Sequence, residues 1–325
     1  MKSEMKYRDI KKVGQWSRRN LLNRSMILIF IITGSLAPSI MAQEFKYYTQ
    51  YMFNGLAINP AYAGVNEFIT ITGDIRKQWV GIEGAPSAQT LGAHSPIMDN
   101  QFGLGLLVIN DKIGVTSQQE VSISYAYKLK FPNHTLSLGM KLGFNTIKNK
   151  FDELVLDSEN DINFQDNVSA FLPVFGLGAY LKSHKYYVGL SIPHLYKFVH
   201  KKYQGLNIDQ HRMIFLTGGY IFRINNDFKV RPSVLTKTHF GSVFEFDLNA
   251  NVYYKDDYCI GLSYKSLNSL AIIMETGIQK TYYIGYSYDL ATTKLIRHQS
   301  GTHELSINVY LNKKDKSRIV NPRYF

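Results

Sequence analysis

Nine histidines, a single cysteine and 25 acidic residues are the side chains from which a catalytic or metal site would have to be built. The histidines are His94, His134, His184, His194, His200, His211, His239, His298 and His303. No pair of them falls in an HExxH spacing, which would place two metal ligands on one helix face. No GxSxG nucleophile elbow and no Walker loop occurs. His303-Glu304-Leu305-Ser306 combines a base, an acid and a hydroxyl. On a strand, however, His303 and Glu304 point to opposite faces and cannot form one relay. The glycine-rich FGLGLL of 102–107 reads as a strand approaching other backbone closely, not as a phosphate loop. Lone Cys259 excludes an intrachain disulfide framework and a thiolate cluster. The local motifs therefore point to no enzyme, no metal and no cofactor.

The elements that carry these residues are strands. Val121, Ile123, Tyr125, Tyr127 and Leu129 alternate with Glu120, Ser122, Ser124, Ala126 and Lys128. Leu136, Leu138, Met140, Leu142 and Phe144 alternate with small or polar residues, as do Phe244, Phe246, Leu248, Ala250, Val252 and Tyr254. Leu305, Ile307, Val309 and Leu311 repeat the pattern near the end. A period of two residues is the signature of a strand with two unlike faces. A soluble sheet would turn the apolar face to a core. A membrane barrel turns it to lipid and keeps the polar face in its lumen. Alternation alone does not choose between them.

Strand length, aromatic placement and export choose the barrel. Several alternating runs are of the length a tilted strand needs to cross a bilayer, roughly 9–11 residues. Tyr125, Tyr127, Tyr186, Tyr187, Tyr220, Phe222, Tyr253, Tyr254, Tyr282, Tyr283, Tyr286 and Tyr288 cluster toward strand ends, as interfacial girdles do. Residues 1–42 have the layout of a secretory signal peptide: eight basic residues, the apolar run MILIFII at 26–32, and Ala42 at the cut. Losing eight basic and two acidic groups with this segment lowers the net charge from +12 to +6. That removes most of the support for a nucleic-acid partner. No stretch beyond the signal reaches the ~20 apolar residues of a membrane helix.

The expected fold is an all-β transmembrane antiparallel barrel of about fourteen strands, with twelve or sixteen as alternatives. It occupies 67–312, between a periplasmic segment at 43–66 able to plug the lumen and a basic periplasmic tail at 313–325. Short connections fall near Pro96–Asn100, Phe131–Asn133, Ser183–His184, Asn225–Asn226, Asp256–Asp257 and Lys280. The longest, at 148–169, 194–209 and 290–301, fall on the alternate parity. Short periplasmic turns and longer outer loops predict that pattern. The 148–169 connection is acidic and the 194–209 connection basic. Pro173, Pro193 and Pro232 fit poorly, because proline removes a ladder donor.

Motifs spread along the chain carry a family resemblance. QYMFNGLAINPAYAG (50–64) is followed by RKQWVGIEGAP (76–86), GLGLLVINDKIG (103–114), SYAYKLK (124–130), LSLGMKLG (136–143), YSYDL (286–290), GTHELS (301–306) and a final NPRYF (321–325). Together they resemble the PorP/SprF family, outer-membrane proteins of the type IX secretion and gliding machinery of Bacteroidetes. Thr302 stands where the family usually has Ser, and 149–260 carries little of the motif set. The resemblance implies a non-enzymatic outer-membrane barrel that meets periplasmic and outer-membrane secretion components. It also implies a secreted adhesin-like cargo, recognised through its C-terminal domain. An ordinary channel for small or hydrophobic solutes is the competing reading.

Combined with the strand parity, these motifs place Arg76, Gln78, Trp79, Asn110, Asp111, His303 and Glu304 at the outer mouth, as a docking surface or gate. Trp and Arg are favoured interface anchors. The alternative is that Gly81, Gly84 and Pro86 make a turn while Arg76 pairs with Glu304 or Asp111 to stitch the rim. In the periplasmic segment, Asn54, Asn59, Pro60 and Tyr62 mark a turn-rich stretch that plugs the lumen or meets periplasmic machinery.

Overall fold

The computed structural model describes residues 49–153, 167–195, 213–239, 244–266 and 269–311. The signal-like segment, most of the acidic and basic connections (154–166 and 196–212) and the basic tail lie outside the described residues. Fourteen antiparallel strands follow one another in sequence order: β1 Ile69–Lys77, β2 Ser87–Ile97, β3 Phe102–Ile113, β4 Thr116–Lys130, β5 His134–Asn149, β6 Val168–Ser183 and β7 Tyr186–Ile192. Next come β8, Met213–Tyr220 continued after Ile221 by Phe222–Arg223, then β9 Phe228–His239 and β10 Glu245–Tyr254. The set ends with β11 Tyr258–Lys265, β12 Ser269–Ile278, β13 Tyr282–Ala291 and β14 Thr302–Leu311. Each strand pairs with its neighbours in sequence, and β1 closes the ring on β14 through Ile69↔Leu311 to Lys77↔His303. Closure leaves no sheet edge to satisfy, which is what a bilayer demands of a β structure.

The alternating residues face the way a membrane requires. On β10, Asp247, Asn249 and Asn251 are buried while Leu248 and Val252 are exposed by 48% and 42%. The same inversion holds on β4, where Ser122, Ser124 and Lys128 are buried and Ile123, Tyr125 and Tyr127 are exposed. A water-soluble sheet would reverse both sets. A continuous exposed apolar belt of this extent is stable only against lipid.

Aromatic rings gather at the end with the short turns. Tyr220 packs on Phe222 at 4.6 Å, Phe228 on Tyr254 at 4.9 Å and Phe102 on Tyr127 at 5.3 Å. Three tyrosines expected in this girdle point inward instead: Tyr187, Tyr253 and Tyr283 are buried. The cause is the pleat, since each follows or precedes an outward-facing tyrosine and must take the opposite face.

All six turns at this end are short: 98–101, 131–133, 184–185, 224–227, 255–257 and 279–281. Lys255 and Asp256, and Gln279 and Lys280, have positive φ in succession, the backbone hand that matches the twist of a tight hairpin. The opposite end carries the longer connections 78–86, 150–167, 193–212 and 292–301.

The prolines sit where ladders are interrupted. Pro232 lies opposite Tyr220, next to the break at Ile221, because it has no N–H to donate there. Pro193 follows the last residue of β7. Pro173 lies in the part of β6 beyond its ladder with β7, which starts at Leu177↔Ile192.

Candidate functional site

Residues 49–66 lie inside the ring of strands. Tyr51, Met52, Phe53, Leu56, Ile58 and Tyr62 are all buried and form one core with inward residues of the wall. The barrel's interior core is thus made between this strap and the sheet, not between two faces of the sheet. Locally the strap is a turn, one helical turn Gly55–Ile58 and a 3-10 turn Pro60–Tyr62. Asn59 caps the second, its Oδ1 accepting from Ala61 N at 2.9 Å, and Pro60 takes the first position, where a missing N–H costs nothing.

Glycines on the wall make room for this segment. A β-carbon on Gly139 would collide with the backbone of Pro60 and Ala61, and one on Gly178 with the Asn59 side chain. Gly55, within the strap, leaves space for the Tyr62 ring. That ring stands edge-on to His94 at 5.5 Å and to Tyr180 at 5.4 Å.

The strap is held by polar contacts along its length. Glu304 accepts the backbone N–H of Thr49 and of Gln50, each at 2.8 Å. Asn54 Nδ2 donates to Asp74 Oδ2 at 2.6 Å, and Asn249 Nδ2 to the Tyr51 hydroxyl at 2.9 Å. Asn59 Nδ2 donates to the carbonyl of Ala179 at 3.0 Å, and Ser191 Oγ to the carbonyl of Ile58 at 2.6 Å. Near the short turns, Gly64 N donates to His94 Nδ1 at 3.2 Å, and Lys128 Nζ donates to the Gly64 carbonyl. Arg231, fully buried, places its guanidinium over the rings of Phe53 at 5.6 Å and Tyr253 at 5.3 Å.

A charged cluster surrounds Thr49, at the end of the strap away from β1. Arg76 donates to Glu304 at 2.9 Å, to Asp289 at 3.0 Å and to the Thr49 hydroxyl oxygen at 2.7 Å. Lys265 Nζ donates to Asp289 at 2.8 Å and to Thr49 Oγ1 at 2.6 Å. Two cations meet two carboxylates, so the buried charges compensate one another.

The candidate residues of the outer mouth divide by burial. Arg76, Gln78, Asp111 and Glu304 are buried, whereas Trp79, Asn110 and His303 are partly exposed. Register places Glu304, Arg76, Ala88 and Asp111 in one row across β14, β1, β2 and β3. Within that row Arg76 pairs with Glu304 and reaches Asp289, which sequence reasoning did not single out. His303 points to the other face, where its Nδ1 lies 2.7 Å from the Tyr286 hydroxyl.

The 78–86 connection is sewn to its neighbours by Gln78 N to Pro86 O at 2.9 Å, Val80 N to Gly301 O at 2.9 Å and Ser300 N to Val80 O at 2.7 Å. Trp79 has φ +46, with its N–H on Thr302 Oγ1 at 3.2 Å. Sequence reasoning also missed Lys265, Thr49 and the triad in which Glu120 takes Lys141 at 2.8 Å and His194 at 2.9 Å. Inward charges at strand ends were the available signal, but period two does not say which strands are neighbours across the ring.

The family described as type IX secretion system membrane protein PorP/SprF matches residues 40–309. No curated protein matches the chain. Similar solved structures include a Pseudomonas aeruginosa FadL homologue, with 12% identity over 82% of this chain and 95% of the other and a TM-score of 0.43. The KdgM porin has 11% identity over 74% of this chain and 98% of the other, with a TM-score of 0.36.

Proposed function

Because the chain belongs to the PorP/SprF family of type IX secretion system membrane proteins, we propose that its outer rim docks a secreted, adhesin-like cargo through that cargo's C-terminal domain. In this reading the barrel resides in the outer membrane, reached through the signal-like segment. It supports export or surface attachment of the cargo in the company of other secretion components, in a gliding or adhesion context of the Bacteroidetes type. Its role is that of a scaffold and not of an enzyme.

The observation that carries the proposal is Trp79. A bulky residue in the left-handed region is unfavourable by roughly 1–2 kcal/mol, and glycine would fill that backbone position without strain. Backbone strain of this kind concentrates at sites of function. A partly exposed tryptophan beside the glycines of 81 and 84, on a rim fastened to 300–302, has the form of an interface anchor. His303 supplies a polar group on the strand whose Thr302 takes the Trp79 N–H, Asn110 adds another two strands from β1, on β3, and Arg76, Gln78, Asp111 and Glu304 stiffen the rim from inside. The strap-filled lumen counts against an ordinary solute channel.

The test is affinity purification from native outer membrane in mild detergent, comparing wild type with Trp79→Gly. This substitution relieves the backbone, so a purely structural tryptophan predicts an assembled barrel with unchanged partners. Loss of a large surface protein from an assembled Trp79→Gly barrel supports docking; its full retention overturns it.

A further inference from the structure

The strap does not begin at the end of the barrel where it joins β1. Thr49 sits at the Arg76–Glu304 row, near the ends of β1, β11, β13 and β14 that lead into the 78–86, 266–268 and 292–301 connections. Gly64 and Val65 sit at the opposite end, against His94, Lys128 and Lys182. Among the described residues, the covalent link between strap and wall is therefore at the short-turn end, through 66–68 into β1. At the long-loop end, everything that holds the strap is non-covalent.

What holds it there has a definite chemistry. One carboxylate accepts two consecutive backbone N–H groups, and an arginine, a lysine and a second carboxylate converge on one hydroxyl. That grip reads two successive amides of a turn, the Thr49 hydroxyl and the Gln50 side chain, whose Oε1 accepts from Ser306 Oγ at 2.8 Å, so it is a site for a peptide turn. We propose that Arg76, Lys265, Asp289 and Glu304 form a peptide latch, filled in cis by Thr49 and Gln50, whose release lets the strap leave the lumen through the short-turn end.

Three features fit this device. The wall left behind is mixed, with Ser124, Asn145, Asn251 and Ser287 facing inward beside Leu107, Phe215, Leu235 and Ile273, so its polar part tolerates water once the strap has gone. The strap buries Tyr51, Met52, Phe53, Leu56, Ile58 and Tyr62 against the wall, so the closed form is the resting state and opening needs a partner that covers those side chains. Finally, the tether sits where a periplasmic partner meets the barrel on the topology given above. Opening by unlatching at one end and hinging at the other is a strap motion that leaves the sheet unchanged.

The proposal rests on the closed barrel and not on the docking of cargo at Trp79, so loss of partner capture leaves it standing. Flux of a small solute through full-length protein in liposomes tests it, with heat-dependent gel migration confirming that each barrel is assembled. Glu304→Gln keeps the side-chain shape but removes the charge that takes both amides, and raises flux at least ten-fold. A second variant pins the strap. A β-carbon on Gly105 would lie 3.4 Å from that of Ala63, a spacing a disulfide accommodates with a slight shift. Ala63→Cys with Gly105→Cys, in a Cys259→Ser and Glu304→Gln background, is expected to show wild-type flux when oxidised and raised flux when reduced. Unchanged flux in Glu304→Gln, or raised flux that ignores the state of the disulfide, overturns the latch.

Discussion

A β-carbon on Gly103 would fall under 3 Å from the carbonyl oxygen of Ala63. The inner wall of β3 and the backbone of the strap are in direct contact at that point, main chain against main chain. No flexible side chain separates them, so neither partner can yield without a shift of a whole segment. This contact explains why FGLGLL places Gly103 and Gly105 inward. The glycines seat the strap, Leu104 and Leu106 meet lipid, and Leu107 joins the interior core.

Gly103→Ala should therefore destabilise the barrel by about 1–3 kcal/mol, the usual cost of overpacking. Gly73 provides the control, since a β-carbon there meets nothing within 4 Å. Gly73→Ala should change stability by no more than about 0.5 kcal/mol. Thermal unfolding in detergent, followed by loss of the folded gel band, measures both.

Arg76 neutralises two buried carboxylates at once. Arg76→Met should cost about 3–5 kcal/mol, because Asp289 and Glu304 are then left with too little positive charge. Adding Glu304→Gln to Arg76→Met should recover part of that loss. Denaturant unfolding of the single and double variants checks it; a double variant no better than the single would mean the charges are compensated elsewhere.

The lipid-facing side of β12 gives a depth test. Ile272 is exposed by 46% and stands mid-strand. Ile272→Arg should cost about 2–4 kcal/mol, as arginine does near a bilayer midplane. Ile278→Arg, at the strand end, should cost about 0–1 kcal/mol. Folding into vesicles of defined thickness compares the two, and equal costs would contradict a membrane-spanning β12.

Orientation can be read with thiols. Glu83 is exposed in the 78–86 connection, and Asn133 is exposed in a short turn at the other end. With the short turns in the periplasm, Glu83→Cys should react with a membrane-impermeant maleimide on intact cells. Asn133→Cys should react only after the outer membrane is permeabilised. Cys259 is buried and adds no background. The reverse labelling would invert the barrel.

Much of this architecture is legible in the sequence for a simple reason. Each strand needs only its own period-two pattern, and sequential antiparallel pairing needs only short connections. Runs such as Val121–Leu129 and Leu305–Leu311 therefore fix their own elements and the order in which they pair. Even the break in β8 is written in Pro232, once it is known which residue stands opposite.

Tertiary structure decided what alternation leaves open. Alternation by itself fits both a soluble sheet and a barrel, and the burial of Asp247 and Asn251 with exposure of Leu248 shows directly which face meets lipid. Tyr187, Tyr253 and Tyr283 went inward because the pleat, not residue type, assigns each side chain its face. The charged cluster joins Thr49, Arg76, Lys265, Asp289 and Glu304 from five separate stretches of chain. Ring closure and the threading of the strap bring them together, and neither is a local property of sequence. The sequence by itself determined the strands, their order and the turn-rich character of 49–66. Only the closed barrel determined what that segment touches and at which end it is held, because those contacts depend on strand register summed around the whole ring.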